Sequence, residues 1–479
     1  MSFLKINNQV ISFTPPMALS TLMEQAGLTA VHPCGGRGVC GNCAVTIEGE
    51  LSPLTPAEIK AGTRLSCQTV VLGDATLKTE QSGALRIEGA GEQTAVGGQK
   101  TLVAAVDIGT TTVVAQVYDE TGALCGGAAA LNPQTATSSD VMGRINTALT
   151  PAGLKKLQEQ ITLTLRQLLL KAAGDLSRIQ QMVITGNTAM LYLFTGRDPH
   201  CLATAPFAAD HLFDEQTELF GIPTYLPPCI SAFVGADITC ALLESDLCRH
   251  TSPALLCDIG TNGEIALWTG SELFVTSTAA GPAFEGAGIR QGMLAESGAI
   301  DRVWEEQGNL RISVIGDALP KGICGSGLID AVATGLVIGA IDETGYLEED
   351  PLPLCDTVAL HGQDVRNVQL AKAAIAAGIY ALLHAAGLEE TKIDQCIIAG
   401  GFGKHLRPES VCTIGLLPKS WEQSLRPIGN AALAGAKLLL NPKYRQKAAD
   451  LAKKANHISL GGDPAFNAFY IEQMTFEQE

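Results

Sequence analysis

Ala105-Val106-Asp107-Ile108-Gly109-Thr110 and Leu256-Cys257-Asp258-Ile259-Gly260-Thr261 are two copies of one pattern, an apolar run closed by Asp-Ile-Gly-Thr. Such a run reads as a buried strand that enters a tight glycine turn. The first copy continues through Thr111 and Thr112, and the hydroxyls and amides of Thr110 to Thr112 can hold a phosphate beside Gly109. The second continues as Thr261-Asn262-Gly263-Glu264 and repeats the device with Gly260 and Gly263. Asp107 and Asp258 can each orient magnesium-bound water. A third element, Ile397-Ile398-Ala399-Gly400-Gly401-Phe402-Gly403, places small residues around Phe402 after another buried strand, where a flat nucleoside can lie against backbone. One such motif is usually only a turn, but three in this order are hard to explain by turns alone. The duplication implies two similar lobes facing each other.

Outward from these motifs, buried-strand runs at 102–106, 113–117, 181–185, 255–257 and 396–399 alternate with helical stretches at 151–174, 326–339, 367–386 and 429–440. That alternation is an α/β pattern. Residues 89–100 are small, polar and glycine-rich, the composition of a flexible linker with a reach of about 20 Å, and mark a domain boundary. Domains are therefore expected at 1–88 and 101–479. Residues 1–88 carry six basic and seven acidic groups, a net of -1 against -17 for the chain, so nearly all the negative charge belongs to the second part.

The first 88 residues open with two short apolar runs, 3–6 and 10–13, separated by Asn7-Asn8-Gln9, a hairpin signal. Pro15-Pro16 ends the second, Ser20 is placed to cap a short helix at 21–26, and strand-like runs follow at 44–47, 68–71 and 84–87. Within this small mixed sheet, Cys34, Cys40, Cys43 and Cys67 are spaced much as in plant-type [2Fe-2S] proteins, with one extra residue in the first interval. Two irons need four thiolates, and a loop crowded by Gly35, Gly36, Gly38 and Gly41 can aim amides at the sulfurs. Zinc fits less well, because it favours two short Cys-x2-Cys pairs over a distant Cys67. His32, next to this loop, reads as a partly exposed loop histidine.

The net charge of -17 excludes the basic stripe that a nucleic-acid partner requires. No apolar h-region follows Lys5, and the apolar run 371–387 is broken by Lys372 and His384, so neither a secretory signal nor a membrane span is read. A soluble cytoplasmic protein is expected, in which a tight cysteine cluster points to metal and not to disulfides.

Residues 1–88 resemble the adrenodoxin-like branch of the [2Fe-2S] ferredoxins, which implies a β-grasp fold. The three motifs of the second part resemble the superfamily of acetate and sugar kinases, Hsp70 chaperones and actin. That likeness implies ATP and magnesium in an interlobe cleft, with phosphate-1 at 107–112, phosphate-2 at 258–264 and adenosine at 400–403. It also implies connecting helices at 231–243 and 428–436, rich in small residues.

With Asn132-Pro133-Gln134, Asp140 to Arg144, Thr185 to Thr188, Gly281 to Gly286 and Gly322 to Asp330, the whole chain resembles the ATP-dependent reductive activators of corrinoid proteins. The expected fold class is thus α/β and α+β multidomain, a β-grasp ferredoxin-like domain followed by a two-lobed actin-like ATPase domain. The implied activity is one-electron transfer from the cluster to cob(II)alamin of a methyltransferase-associated corrinoid protein, giving Co(I), with an upstream electron donor. Larger members carry an additional domain before the first phosphate motif. Here only the linker is seen, so a short form lacking that domain is expected, and its dimer contacts, hence homodimer formation, stay open.

Glu285 reads either as a hinge salt-bridge partner or as a catalytic base, and Arg144 and Arg290 either as solvated surface arginines or as contacts to phosphate or a corrinoid partner. The competing readings are a redox-regulated small-molecule kinase and an activator of the 2-hydroxyacyl-CoA dehydratase type.

Overall fold

The computed structural model describes residues 2–6, 9–26, 38, 43–78, 101–401 and 403–476. His32, Cys34, Cys40, Phe402, the strand expected at 84–87 and the linker at 89–100 lie outside the described residues.

In the amino-terminal domain, strand Val70–Lys78 alternates buried and half-exposed or exposed residues along its length, as a sheet covered on one face requires. Ser2–Ile6 lies parallel on one side of it and Ala44–Leu51 antiparallel on the other, while Gln9–Phe13 completes the hairpin outside Ser2–Ile6. Helix Leu19–Gln25 covers the buried face, where Leu19, Leu22 and Met23 meet Leu4, Phe13, Val71 and Leu77. Ser20 sits inside this helix and not at its cap, so the helix starts earlier than its polar residue indicates. A second helix, Pro56–Ala61, was not expected. Its start is a capping box, Thr55 with Glu58, with proline in the first turn.

The two lobes repeat one sheet plan. In the first, strand Leu102–Ile108 has Thr112–Tyr118 and then Leu124–Leu131 antiparallel on one side, and Ile179–Gly186 and then Ile222–Leu226 parallel on the other. In the second, Ala254–Ile259 has Gly263–Trp268 and Leu273–Thr278 antiparallel on one side, and Gln395–Ala399 and Leu425–Gly429 parallel on the other. Central strands of such sheets are covered on both faces and therefore read as continuous apolar runs.

The long helices also match. Pro151–Ala173 packs on the antiparallel strands of the first sheet, and Gly362–Ala386 on those of the second. Gly362–Ala386 is apolar and long enough to cross a membrane, but 78% of its most apolar window is buried inside the fold. Its apolar surface is used for core packing.

Helices Ala236–Ser245 and Ala431–Leu439 cross between the lobes, within two to five residues of the ends expected for the connecting helices. A Cβ on Gly435 would lie 2.0 Å from the carbonyl oxygen of Cys240, so only glycine permits this approach. Around the crossing, one apolar core draws Val114 and Val183 from the first sheet, Leu256 and Ile397 from the second, and Leu242 and Leu433 from the helices.

Candidate functional site

The two Asp-Ile-Gly-Thr turns open into one cavity of about 600 Å³, a size suited to a small ligand. Asp107, Gly109, Thr110, Thr111, Thr112, Asp258, Gly260, Thr261, Asn262, Glu264, Gly400 and Gly401 line it. Gly263 and Gly403 do not. A Cβ on Gly263 would lie 2.7 Å from Ile375, and one on Gly403 3.2 Å from Ile398, so these two glycines serve packing behind the cleft. Gly109 serves the turn itself, since a Cβ there would stand 2.6 Å from the Thr112 carbonyl oxygen.

The sheet duplication continues into the neighbouring strand ends. A Cβ on Gly186 would stand 2.6 Å from the Ile108 carbonyl oxygen, and one on Gly400 2.5 Å from that of Ile259. One residue further the lobes diverge. Asn187 fills the first-lobe position and donates from Nδ2 to Thr110 Oγ1 at 3.1 Å, whereas Gly401 faces open space. Room for a planar group is thus left in the second lobe.

Six carboxylates, Asp107, Asp237, Asp258, Glu264, Glu285 and Asp301, line this one cleft. Burial pushes Asp107 up to about 6, against the Asn430 amide that donates to it at 2.9 Å across the lobes. Burial and the charges of Asp107 and Glu285 push Asp258 up to about 7. Burial first, and then neighbouring aspartates, also raise Asp237 and Glu264. So much negative charge repels a phosphate chain unless a cation stands between them. Among the described residues no three Cys, His, Asp or Glu side chains converge into a direct cation cage. That donor set fits a cation that keeps much of its water and shares phosphate oxygens, as magnesium does.

Arg144 is fully buried, which corrects its reading as a surface arginine. Its guanidinium donates to the Thr110 carbonyl at 2.7 Å and to that of Ser138 at 2.9 Å, and so braces the first turn from behind. Arg290 is exposed, as expected. Asp237 was legible only as part of a connecting helix, and Asn430 carried no signal beyond following Gly429 at a strand end.

In the amino-terminal domain, the sulfurs of Cys43 and Cys67 lie 3.2 Å apart with no disulfide between them, within reach of a single metal. The strand segment that leads to Cys67 is held by buried Glu58, whose carboxylate accepts from the Leu65 amide at 3.2 Å and the Thr69 hydroxyl at 2.7 Å. Gly38 has φ +72, and a Cβ there would stand 2.7 Å from that of Ala57, so this glycine packs tightly against helix Pro56–Ala61. The described cysteines fit an iron-sulfur cluster. Cys34 and Cys40 lie outside the described residues.

These features define a class, a ferredoxin-like domain followed by a two-lobed ATPase fold of the actin and sugar-kinase type. Family models agree. The 2Fe-2S iron-sulfur cluster binding domain matches residues 4–72, the RACo middle region 102–250, and the C-terminal domain of RACo, the ASKHA domain, 252–479. The "Corrinoid activation enzyme RamQ" of Eubacterium limosum is 36% identical over 417 residues, covering 78% of this chain and 70% of that protein. The "[Co(II) methylated amine-specific corrinoid protein] reductase" of Methanosarcina barkeri is 30% identical over 380 residues, covering 70% of each. A solved structure described as "Reductive activator for corrinoid,iron-sulfur protein" superposes with a TM-score of 0.74 at 25% identity, covering 99% of this chain and 98% of that one. The chain belongs to the RACo family of corrinoid-activation enzymes.

The middle-region match overturns the expectation of a short form lacking the middle domain. The matched segment begins with the strand that carries Asp107 and supplies all six strands of the first sheet, so the family's middle region and the first lobe are the same residues.

Proposed function

We propose that the chain is an ATP-dependent reductive activator that passes single electrons to a Co(II) corrinoid protein of a methyltransferase system, returning it to the methyl-accepting Co(I) state. The observation that carries this reading is the presence, on one chain of this family, of a four-cysteine module and a two-lobed cleft built around paired Gly-Thr turns. A [2Fe-2S] cluster held by Cys34, Cys40, Cys43 and Cys67 supplies one-electron storage when bound. Residues 1–88 form the electron-carrying domain, 89–100 a flexible linker and 101–479 the nucleotide-binding part.

Within the cleft, the turns at Thr110 to Thr112 and at Thr261 to Asn262 hold the phosphates, with Asp107 and Asp258 orienting the waters of magnesium. Gly400 and Gly401 leave room for adenosine. Reducing Co(II) is uphill, and each 59 mV of unfavourable potential costs about a factor of ten in a one-electron equilibrium. A nucleotide that binds two lobe arrangements with different affinity can offset that cost. An upstream donor refills the carrier, and we place the protein in the cytoplasm.

ATP hydrolysis by the purified protein should be magnesium-dependent and rise when a Co(II) corrinoid protein is added. Asp258→Ala should remove that hydrolysis while the visible spectrum of the cysteine domain stays unchanged. Phosphorylation of a small metabolite by the wild type, with no response to corrinoid protein, would favour the kinase reading instead.

A further inference from the structure

Both Thr111, in the first phosphate turn, and Thr261, in the second, donate their hydroxyl protons to one oxygen, Oε2 of Glu285. The Thr111 bond is 2.6 Å long, and the two hydroxyl oxygens are 3.1 Å apart. Glu285 ends the short turn Pro282–Glu285, which is tied to the second lobe by the Gly281 amide donating to the Thr261 carbonyl at 2.9 Å. The carboxylate therefore belongs to the second lobe and reaches across to the first. Among the described residues no guanidinium forms an ion pair with it; buried Arg144 spends its hydrogen bonds on backbone carbonyls and on Met190 and acts on Glu285 only through its charge. A hydroxyl has one proton to give. While Thr111 and Thr261 give theirs to Glu285, neither can donate to a phosphate.

We propose that Glu285 is a resident anion that occupies a phosphate-oxygen position, latches the two lobes together without nucleotide, and yields its hydroxyl donors to the terminal phosphate of bound ATP. The proposal rests on the reading of the cleft as a nucleotide site. The Gly400-Gly401 opening belongs to the second lobe, so the part of a nucleotide that reaches Thr111 in the first lobe is its phosphate end. Glu285 then discriminates between triphosphate and diphosphate, because only the longer chain must displace it. Release of the carboxylate also frees the first lobe to move. This role differs from that of a base acting on water, which leaves ground-state affinity unaffected, and from that of a plain structural bridge, which distinguishes no ligand.

The test is calorimetric titration of full-length wild type and Glu285→Gln with a non-hydrolysable ATP analogue and with ADP, both with magnesium. The variant should bind the triphosphate analogue at least fivefold more tightly and ADP within twofold of wild type. Amide exchange at Thr110 to Thr112 should be faster in the nucleotide-free variant and equal to wild type once the analogue is bound. Triphosphate affinity that is unchanged or weaker overturns the latch, whether or not hydrolysis falls. Wild type that binds neither nucleotide overturns the nucleotide reading itself, a distinct result. Glu285→Ala removes the carboxylate without adding an amide and should give the same ordering if the glutamine variant fails to fold.

Discussion

Two buried charges outside the cleft show how single residues set stability. Burial alone would raise the Glu58 carboxyl, but the Thr55 and Leu65 amides and the Thr69 hydroxyl hold it below its usual range. A depressed acid contributes stability that is complete above its unfolded value, near 4.5, and is lost as pH falls below that. Glu58→Ala leaves the Leu65 amide and Thr69 hydroxyl buried without this acceptor, a loss of about 2 to 4 kcal/mol. Because those two residues flank Cys67, the variant should release its cluster to a chelator several-fold faster, read from the visible absorbance, while nucleotide affinity stays the same.

Lys372 has the opposite sign. Burial lowers its ammonium to about 8, even though it donates to the Thr475 carbonyl at 2.6 Å and lies 5.7 Å from the centre of the Phe476 ring. Between pH 8 and 10.5 the unfolded chain binds the extra proton, so this residue makes stability rise with pH across that window, by about 3 kcal/mol. Denaturant titrations of wild type and Lys372→Met should differ by that slope and agree in slope below pH 8.

Among the secondary elements, the crossing of helices Ala236–Ser245 and Ala431–Leu439 is the least tolerant. Gly435→Ala puts a methyl group into the Cys240 carbonyl, so the helices must separate, an overpacking cost of about 1 to 3 kcal/mol. A lower melting temperature and weaker coupling between nucleotide binding and lobe movement should follow, whereas Gly122→Ala, at a turn with open space but φ +81, should cost only local strain.

The same elements show where a sequence is legible. Strands 102–108, 179–186, 254–259 and 395–399 are central or doubly covered, and their continuous apolar runs stand out. Strands Gly263–Trp268 and Leu273–Thr278 escaped notice, because buried Glu264, Thr276 and Thr278 interrupt the apolar pattern to serve the cleft and the hydrogen bonds around it. The phosphate turns could be read because each is contiguous. The contact of Asn430 with Asp107 joins residues 323 positions apart, and the three-way contact of Glu285, Thr111 and Thr261 spans up to 174, so only the assembled lobes reveal them.

For the whole molecule, a nearly neutral electron-carrying module precedes an acidic two-lobed one, and family membership ties the pair to corrinoid activation. Their coupling has a direct consequence. Cys67→Ser should keep ATP binding yet lose electron delivery, and Asp258→Ala should keep the cysteine-domain spectrum yet also lose delivery. The most direct measurement mixes reduced protein, magnesium, ATP and a Co(II) corrinoid protein without oxygen and follows the visible spectrum. Conversion of Co(II) to Co(I) that requires ATP, and that fails in both variants, is the predicted result; Co(I) formed equally well without ATP, or not formed with any corrinoid partner, would contradict it.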